Sequence, residues 1–470
     1  MEINDYKKLE ELVQNDILEC RRLFAKSVSY ISKNSTLEER KKDFPKLLIE
    51  CFKVHKTALR ILIDRISYIE NLIAQANIKN AADSRNLENA KLSYLKWLLE
   101  LTFNTFVWVS VGMDRSNIRK VFKCPKYGDL THQNIQSLLG YVNEINKTPN
   151  EIAIPLDFCS FSSICDVLKI SYSESDQVLH TDFIEAKSGK VNDAIFETIQ
   201  SKTKDAYFRF FDSYGKNGIN QMGRVFRQRM MLEKNLELIN AVPGVYENPA
   251  NPEEKIHIMA NEVPSHYFAD KITQLLEKAD RNEFAVDEVD HCLIFGIINA
   301  KDEKMAMVGE FDLRLYVYHS FINPATINGA PYPPDLHVIL DTIKLTDWRE
   351  GFISVILDPI ILRNIPDQYL MDLLFGRKIL KLCFNPQRFV SLCNHNGIKT
   401  DLANRRETSR LKSTGLNKRA VDFGGRFIRL YQHDHNWIFG EGLYHDMLFN
   451  WIYPTSIIER EKQCTIQDKY

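Results

Sequence analysis

Several familiar signals are missing from this chain, and each absence removes a class of protein. Its 470 residues carry 61 Lys and Arg against 62 Asp and Glu, a net charge of -1. No global charge excess therefore points to nucleic acid or to a membrane surface, and electrostatic recognition has to be local. The nine cysteines form no C-x-x-C pair, so the usual zinc-ribbon and thioredoxin-like spacings are lacking. The most apolar run, Leu101 to Met113, contains Asn104 and is shorter than the roughly 20 residues that cross a bilayer. The chain opens Met1-Glu2-Ile3-Asn4-Asp5 without a basic-then-apolar segment. These features together give the expectation of a cytoplasmic protein with free thiols and no membrane partner. The second half shows neither a repeat nor a phosphate-binding glycine loop.

What is present first is helix. Tyr6, Leu9, Val13, Ile17, Phe24, Val28 and Ile31 recur at helical spacing, and Ser35-Thr36-Leu37-Glu38 offers a capping box to the next helix. Phe52, Leu59, Ile66 and Ile73 then repeat every seven residues, as do Leu48, His55, Leu62 and Ile69. That seam suits a helical bundle or a homo-oligomer joined through the N-terminal helices, with His55 as a core histidine. Further helices are expected from about Asn86 to Gly112 and from Thr131 to Asn146, so residues 1–147 read as a helical N-terminal region.

A boundary at Asn146-Lys147-Thr148-Pro149-Asn150 leads into strand patterns. Ile152 to Phe158 forms the first, with Pro155 implying an edge or bent strand. Ile164 to Ile170 and Phe183 to Lys190 form two more, separated by the turn residues Ser173-Glu174-Ser175-Asp176-Gln177. A turn centred between Ser175 and Asp176 pairs residues whose numbers sum to 351, which sets Asp166 opposite Glu185. Directly opposed Cβ atoms lie about 5 Å apart, where like charges repel unless a cation joins them. Glu185 and Lys187 share one strand face. The apolar neighbours Ile164, Val167, Ile170, Phe183 and Ile184 suggest a buried hairpin, in which acids need a partner. Two carboxylates and an amine at one point suit a hard, oxygen-liganded cation such as Mg²⁺ (or Mn²⁺). The same residues also suit a salt-bridged, exposed hairpin in which Lys187 pairs with Glu185 or Asp182.

An Asp on one strand followed by Glu-x-Lys on the next resembles the signature of the PD-(D/E)xK, or restriction-endonuclease-like, nuclease superfamily. Cys165 stands where the signature's Pro would be. The resemblance covers about residues 148–240 and implies that Asp166 and Glu185 bind the metal while Lys187 positions or activates the attacking water. It implies a restriction-like mixed sheet flanked by helices, and DNA as the default nucleic-acid partner. Many such nucleases carry an extra acid on the preceding helix, a place that Glu144 occupies here; Asp157 is a further candidate ligand.

Beyond the motif, Asn192 or Asp193 caps a helix through Ile199. Residues 202–229 are locally basic, and Tyr207, Phe208, Phe210, Phe211 and Tyr214 interleave as expected core residues. Gln221, Arg224 and Gln228 share a helix face, which with Lys190 could contact phosphates. A Pro/Asn/Gly cluster at 242–252 closes this region. The remainder reads as α/β, with strands at 255–259, 291–298 and 313–318 and a helix at 266–279. Residues 405–429 form a second, loop-like basic cluster that includes Arg405, Arg406, Arg426 and Arg429. His433-Asp434-His435 and His445-Asp446 have no cysteine partners at zinc spacing.

The resulting expectation is an α/β (α+β) chain in three parts. Residues 1–147 are helical, 148–245 form a nuclease core, and 246–470 form an α/β region of unknown role. Its function would be that of a metal-dependent nuclease, with bacterial antiviral defence suggested by the arrangement. The competing class is a non-catalytic oligomeric or nucleic-acid-binding protein with a degenerate nuclease core.

Overall fold

The computed structural model describes residues 3–32, 37–79, 82–110, 132–159, 165–173, 175, 178–184, 190–201, 203–239, 244–248, 251–258, 266–282, 284–300, 302–317, 360–413, 426–432, 435–448 and 451–463. The fold is α+β, and its contacts divide it into two compact units, residues 1–260 and 261–467. Among the described residues no helix is long and apolar enough to cross a membrane.

The first unit begins with helices α1 (Ile3–Ser32), α2 (Leu37–Lys79), α3 (Ala82–Ser110) and α4 (His132–Asn146). The heptad seam of α2 is spent inside this bundle. Phe52, Leu59, Leu62, Ile66 and Ile69 are buried, and α2 packs against both α1 and α3. Each fully buried Leu, Ile or Phe contributes about 1.5–3 kcal/mol, so the periodicity is explained without a second copy. His55 is a core residue, as expected: Nε2 lies 2.8 Å from Ser27 Oγ, and the ring meets Phe106 edge-on at 5.5 Å. Burial pushes its pKa down to about 4.

The bundle carries the first sheet. Its strands are β1 (Glu151–Pro155), β2 (Val167–Ser173) and β3 (Val178–Ile184), antiparallel in the order β1-β2-β3. Asn146, the last residue of α4, clamps β1: its side chain accepts from Ala153 N at 2.8 Å and donates to Ala153 O at 3.2 Å. Lys56 of α2 reaches Thr148 O at 2.5 Å, and Phe103 of α3 packs against Phe158. Helical region and sheet therefore belong to one body. Pro155 ends an edge strand, where its missing N–H costs no ladder bond.

Two helices follow, α5 (Lys190–Ser201) and α6 (Lys204–Ile239). The latter is broken at Gly215, whose φ of 58° and ψ of -157° are not helical. Ile195 packs with Phe210, Met222 and Val225 in a small core between them. The hairpin β4 (Gly244–Asn248) and β5 (Asn251–Ile258) completes the unit's described elements.

The second unit is built on the antiparallel sheet β6 (Phe284–Val289), β7 (Leu293–Asn299) and β8 (Lys378–Phe384). All seven residues of β7 are buried, in keeping with the apolar run from Leu293 to Ile298 that ends at the buried polar Asn299. Asp290 and His291, in the turn before it, have φ of 49° and 57°, the twist that tight hairpins favour. Helix α7 (Ala269–Asn282) covers β6 and β7, and α8 (Glu303–Val317) packs on β7. Of the strand expected at 313–318, residues 313–317 are thus the end of a helix, and residue 318 lies outside the described residues. Leu313 and Gly309, four apart, form the face on β7, whereas Phe311 and Leu315 remain exposed. Helices α9 (Asp367–Leu374) and α10 (Pro386–His395) flank β8. A second sheet follows, of β9 (Lys399–Leu402), β10 (Ile428–Gln432) and β11 (His435–Ile438). Helix α11 (Arg405–Ser413) lies between β9 and β10 in the chain, and α12 (Glu441–Leu448) and α13 (Pro454–Gln463) close the unit.

Candidate functional site

The β2–β3 hairpin has the register that the turn position dictates. Pairing runs from Val167↔Ile184 to Ser173↔Val178, every pair summing to 351. The strands themselves are displaced from expectation. β2 begins at Val167 rather than Ile164, and β3 ends at Ile184, so Lys190 opens helix α5 instead of closing a strand. The hairpin is also less buried than its apolar residues suggest. Leu168, Ile170 and Tyr172 are core, but Leu179, His180, Thr181 and Asp182 are exposed, and Phe183 and Ile184 are half-buried.

Asp166 sits at the entry to β2, half-buried. Its backbone is held on both sides: its carbonyl accepts from Leu156 N at 2.9 Å and its N–H donates to Ile184 O at 3.1 Å. That second bond is one residue short of the partner extrapolated from the ladder, as happens where an extra residue enters a strand and re-aims its side chain. The preceding Cys165 is buried, with its thiol donating to Val167 O at 3.2 Å.

Glu185 and Lys187 lie outside the described residues, as do Ile164 and the turn residues Glu174, Asp176 and Gln177. Among the described residues no group of three or more His, Cys, Asp or Glu side chains is gathered for a metal. Glu144 is a solvated surface acid that pairs with Lys147 at 2.6 Å. Asp157 is exposed in the single 3-10 turn after β1.

The expected phosphate-contacting face of α6 is only partly available. Arg224 is exposed, as is Lys190. Gln221, however, is half-buried and donates to Asn192 Oδ1 at 2.7 Å, tying α6 to the first turn of α5. Its amide works as a brace between helices. The Gln228 side chain lies outside the described residues. Tyr214 Oη reaches Lys190 O at 3.5 Å, a second tie at the same end of α5. The aromatic residues depart furthest from expectation. Phe210 is buried, but Tyr207, Phe208 and Phe211 face solvent at 38%, 66% and 48% exposure. Helical phase separates them only in part: Phe210 and Tyr214 are four apart and Phe208 lies on the far side of the helix, but Tyr207 and Phe211 are each three residues from a member of that packed pair and border it.

The late motifs resolve into structural roles where they are described. Asp446 is buried and paired with Arg460 at 2.7 Å. Arg429 forms a two-pronged ion pair with Asp401 at 2.7 Å on each prong, and Tyr431 donates to the same carboxylate at 3.0 Å. Burial alone would raise the Asp401 pKa, but those two donors outweigh it and hold the group low. Arg426 donates to the carbonyls of Ala403 and Leu402. The second basic cluster is therefore helix and strand at its two ends, with two of its arginines engaged in the fold; His433, Asp434 and residues 414–425 lie outside the described residues. All seven described cysteines are buried free thiols.

Compared with protein-family models, with curated proteins and with solved structures, the chain finds no match.

Proposed function

We propose that this chain is a metal-dependent nuclease that hydrolyses phosphodiester bonds of nucleic acid, DNA being the substrate expected from the motif. Asp166 and Glu185 hold Mg²⁺ or Mn²⁺ in this reading, and Lys187 stands beside them. The observation that carries it is the bond from Asp166 N to Ile184 O, which ties the first acid of the motif to the residue immediately before the second. When bound, the metal supplies positive charge against the anion that grows on phosphorus and a more acidic water. The Lys187 ammonium adds to the stabilisation of that charge. Lys190 and Arg224 are exposed cations on α5 and α6, able to neutralise backbone phosphates. A place in bacterial antiviral defence, in the cytoplasm, belongs to the same proposal. The competing reading is a non-catalytic interaction or nucleic-acid-binding protein with a degenerate core; the heptad seam it invoked packs within the bundle.

The test is incubation of plasmid, linear and single-stranded DNA and of RNA with Mg²⁺ or Mn²⁺, comparing the unaltered chain with Lys187→Ala. Cutting that requires metal and disappears in the variant supports the nuclease. Cutting that survives Lys187→Ala would assign the activity elsewhere.

A further inference from the structure

Helix α6 leaves an apolar face bare in a way that core packing does not explain. Tyr207, Phe208 and Phe211 are exposed, and with Lys204 they occupy one side of the helix before the Gly215 break. Past the break, Ile219, Phe226 and Met230 are exposed at 44%, 37% and 58%. Their spacings of seven and four keep them on one stripe, and Lys216 and Arg227 follow the adjoining line. Arg227 lies across this surface, with Nη1 3.6 Å from the point where a Cβ on Gly223 would sit. Among the described residues Lys204, Lys216, Arg224 and Arg227 make no ion pair.

Before the break Lys204 and Arg209 are matched by Asp205 and Asp212, but from Lys216 to Met230 the helix has cations and no acid, and this positive charge beside bare rings defines the chemistry of the partner. It must be anionic, and it must offer flat apolar faces. An unpaired nucleic-acid strand has both, since its phosphates meet the cations and its exposed bases stack on rings. A duplex hides those base faces within its own stack. The position agrees with this choice: Tyr214 and Gln221 fasten the middle of α6 to Lys190 and Asn192, which follow Lys187 by three and five residues.

We infer that α6 is a stacking platform for an unpaired nucleic-acid strand, with Tyr207, Phe208, Phe211 and Phe226 meeting bases and Lys216, Arg224 and Arg227 meeting phosphates. The placement of this strand beside a cleavage centre rests on the nuclease reading above. The platform itself rests on the exposed face.

The experiment measures fluorescence anisotropy of a labelled oligodeoxythymidylate of about 16 nucleotides, the upper site size of comparable platforms. A duplex of equal length is measured beside it, both in EDTA. Single-strand binding should be at least tenfold tighter than duplex binding. Phe208→Ala with Phe211→Ala should weaken it by roughly fivefold to a hundredfold per ring and leave duplex binding unchanged, and Phe208→Trp should retain it. Lys216→Ala with Arg227→Ala should weaken both and flatten the salt dependence. The substituted rings are exposed, so circular dichroism should show an intact fold. Equal affinity for single strand and duplex, or single-strand binding indifferent to the aromatic substitutions, overturns the platform. So does self-association of the unaltered chain that the Phe substitutions abolish with DNA binding unchanged, which would give the face to a second copy. The two readings fail separately. Cutting lost in Lys187→Ala with aromatic variants binding normally removes the platform alone, whereas stacking without metal-dependent cutting removes the nuclease alone.

Discussion

The N–H of Asp166 donates to the carbonyl of Ile184 at 3.1 Å, so the backbone of the motif's first acid is fixed to the end of β3. Its carbonyl is fixed equally well, by Leu156 N at 2.9 Å. A change of Asp166 to Asn keeps both backbone bonds and removes the carboxylate's charge at nearly constant shape, which makes it an informative substitution here.

His55 gives a pH prediction. Its folded pKa is depressed to about 4 by burial, below the value of about 6.5 in an unfolded chain. The unfolded state thus binds a proton that the folded state refuses. The stability tied to neutral His55 is fully present above pH 6.5 and is lost as pH falls from there towards 4, by as much as about 3 kcal/mol. Hydrogen exchange of α2, followed by mass spectrometry from pH 7.5 to 4.5, should show opening eased by acid. The same series in His55→Phe should be flatter.

Gly309 gives a packing prediction. A Cβ at that position would lie 2.6 Å from Ile298 Cγ2, too close for either α8 or β7 to ignore. Alanine gains about 1 kcal/mol of helix propensity but forces overpacking that costs typically 1–3 kcal/mol. Gly309→Ala should lower the denaturation midpoint of the second unit. Adding Ile298→Ala, which removes the opposing methyl, should cost less than the two single effects combined.

Lys378 gives an electrostatic one. Its side chain is only 1% exposed, yet Nζ lies 2.5 Å from Asp280 and 3.7 Å from Asp372, and it sits 4.2 Å from the centroid of the Tyr369 ring. It also donates to Leu276 O at 3.3 Å. Lys378→Ala removes a buried cation from two solvent-reaching carboxylates and leaves a gap beneath the ring, so it should destabilise by about 2 kcal/mol, mostly through lost packing. Urea denaturation measures this. In a background of Asp280→Ala the loss should be smaller.

How much of this was legible in the sequence depends on whether the signal was local. The β2–β3 register followed from one turn, because a hairpin's pairing is set by its centre. The α2 seam was readable as period, but not as destination, since the same heptads serve a bundle or a dimer and only the packing of α1 and α3 decides. Residues 313–317 deceived because a short apolar run reads alike in a strand and in a buried helix; the partner of Leu313 is β7, distant in the chain. On α6, composition suggested a core, and phase would have corrected it for Phe208 alone, which lies opposite Phe210; Tyr207 and Phe211 border the packed face and carry no sequence sign of their exposure. The bond from Asp166 to Ile184, offset by one from the ladder, has no sequence signal, because such an offset is a property of two strands meeting.

The most direct test of the central claim compares the unaltered chain with Asp166→Asn, measuring Mn²⁺ binding by calorimetry and DNA cleavage under the same conditions. Asp166→Asn should bind Mn²⁺ more weakly and cut slower by on the order of a hundredfold or more. Undiminished metal binding and cutting in Asp166→Asn would contradict the account.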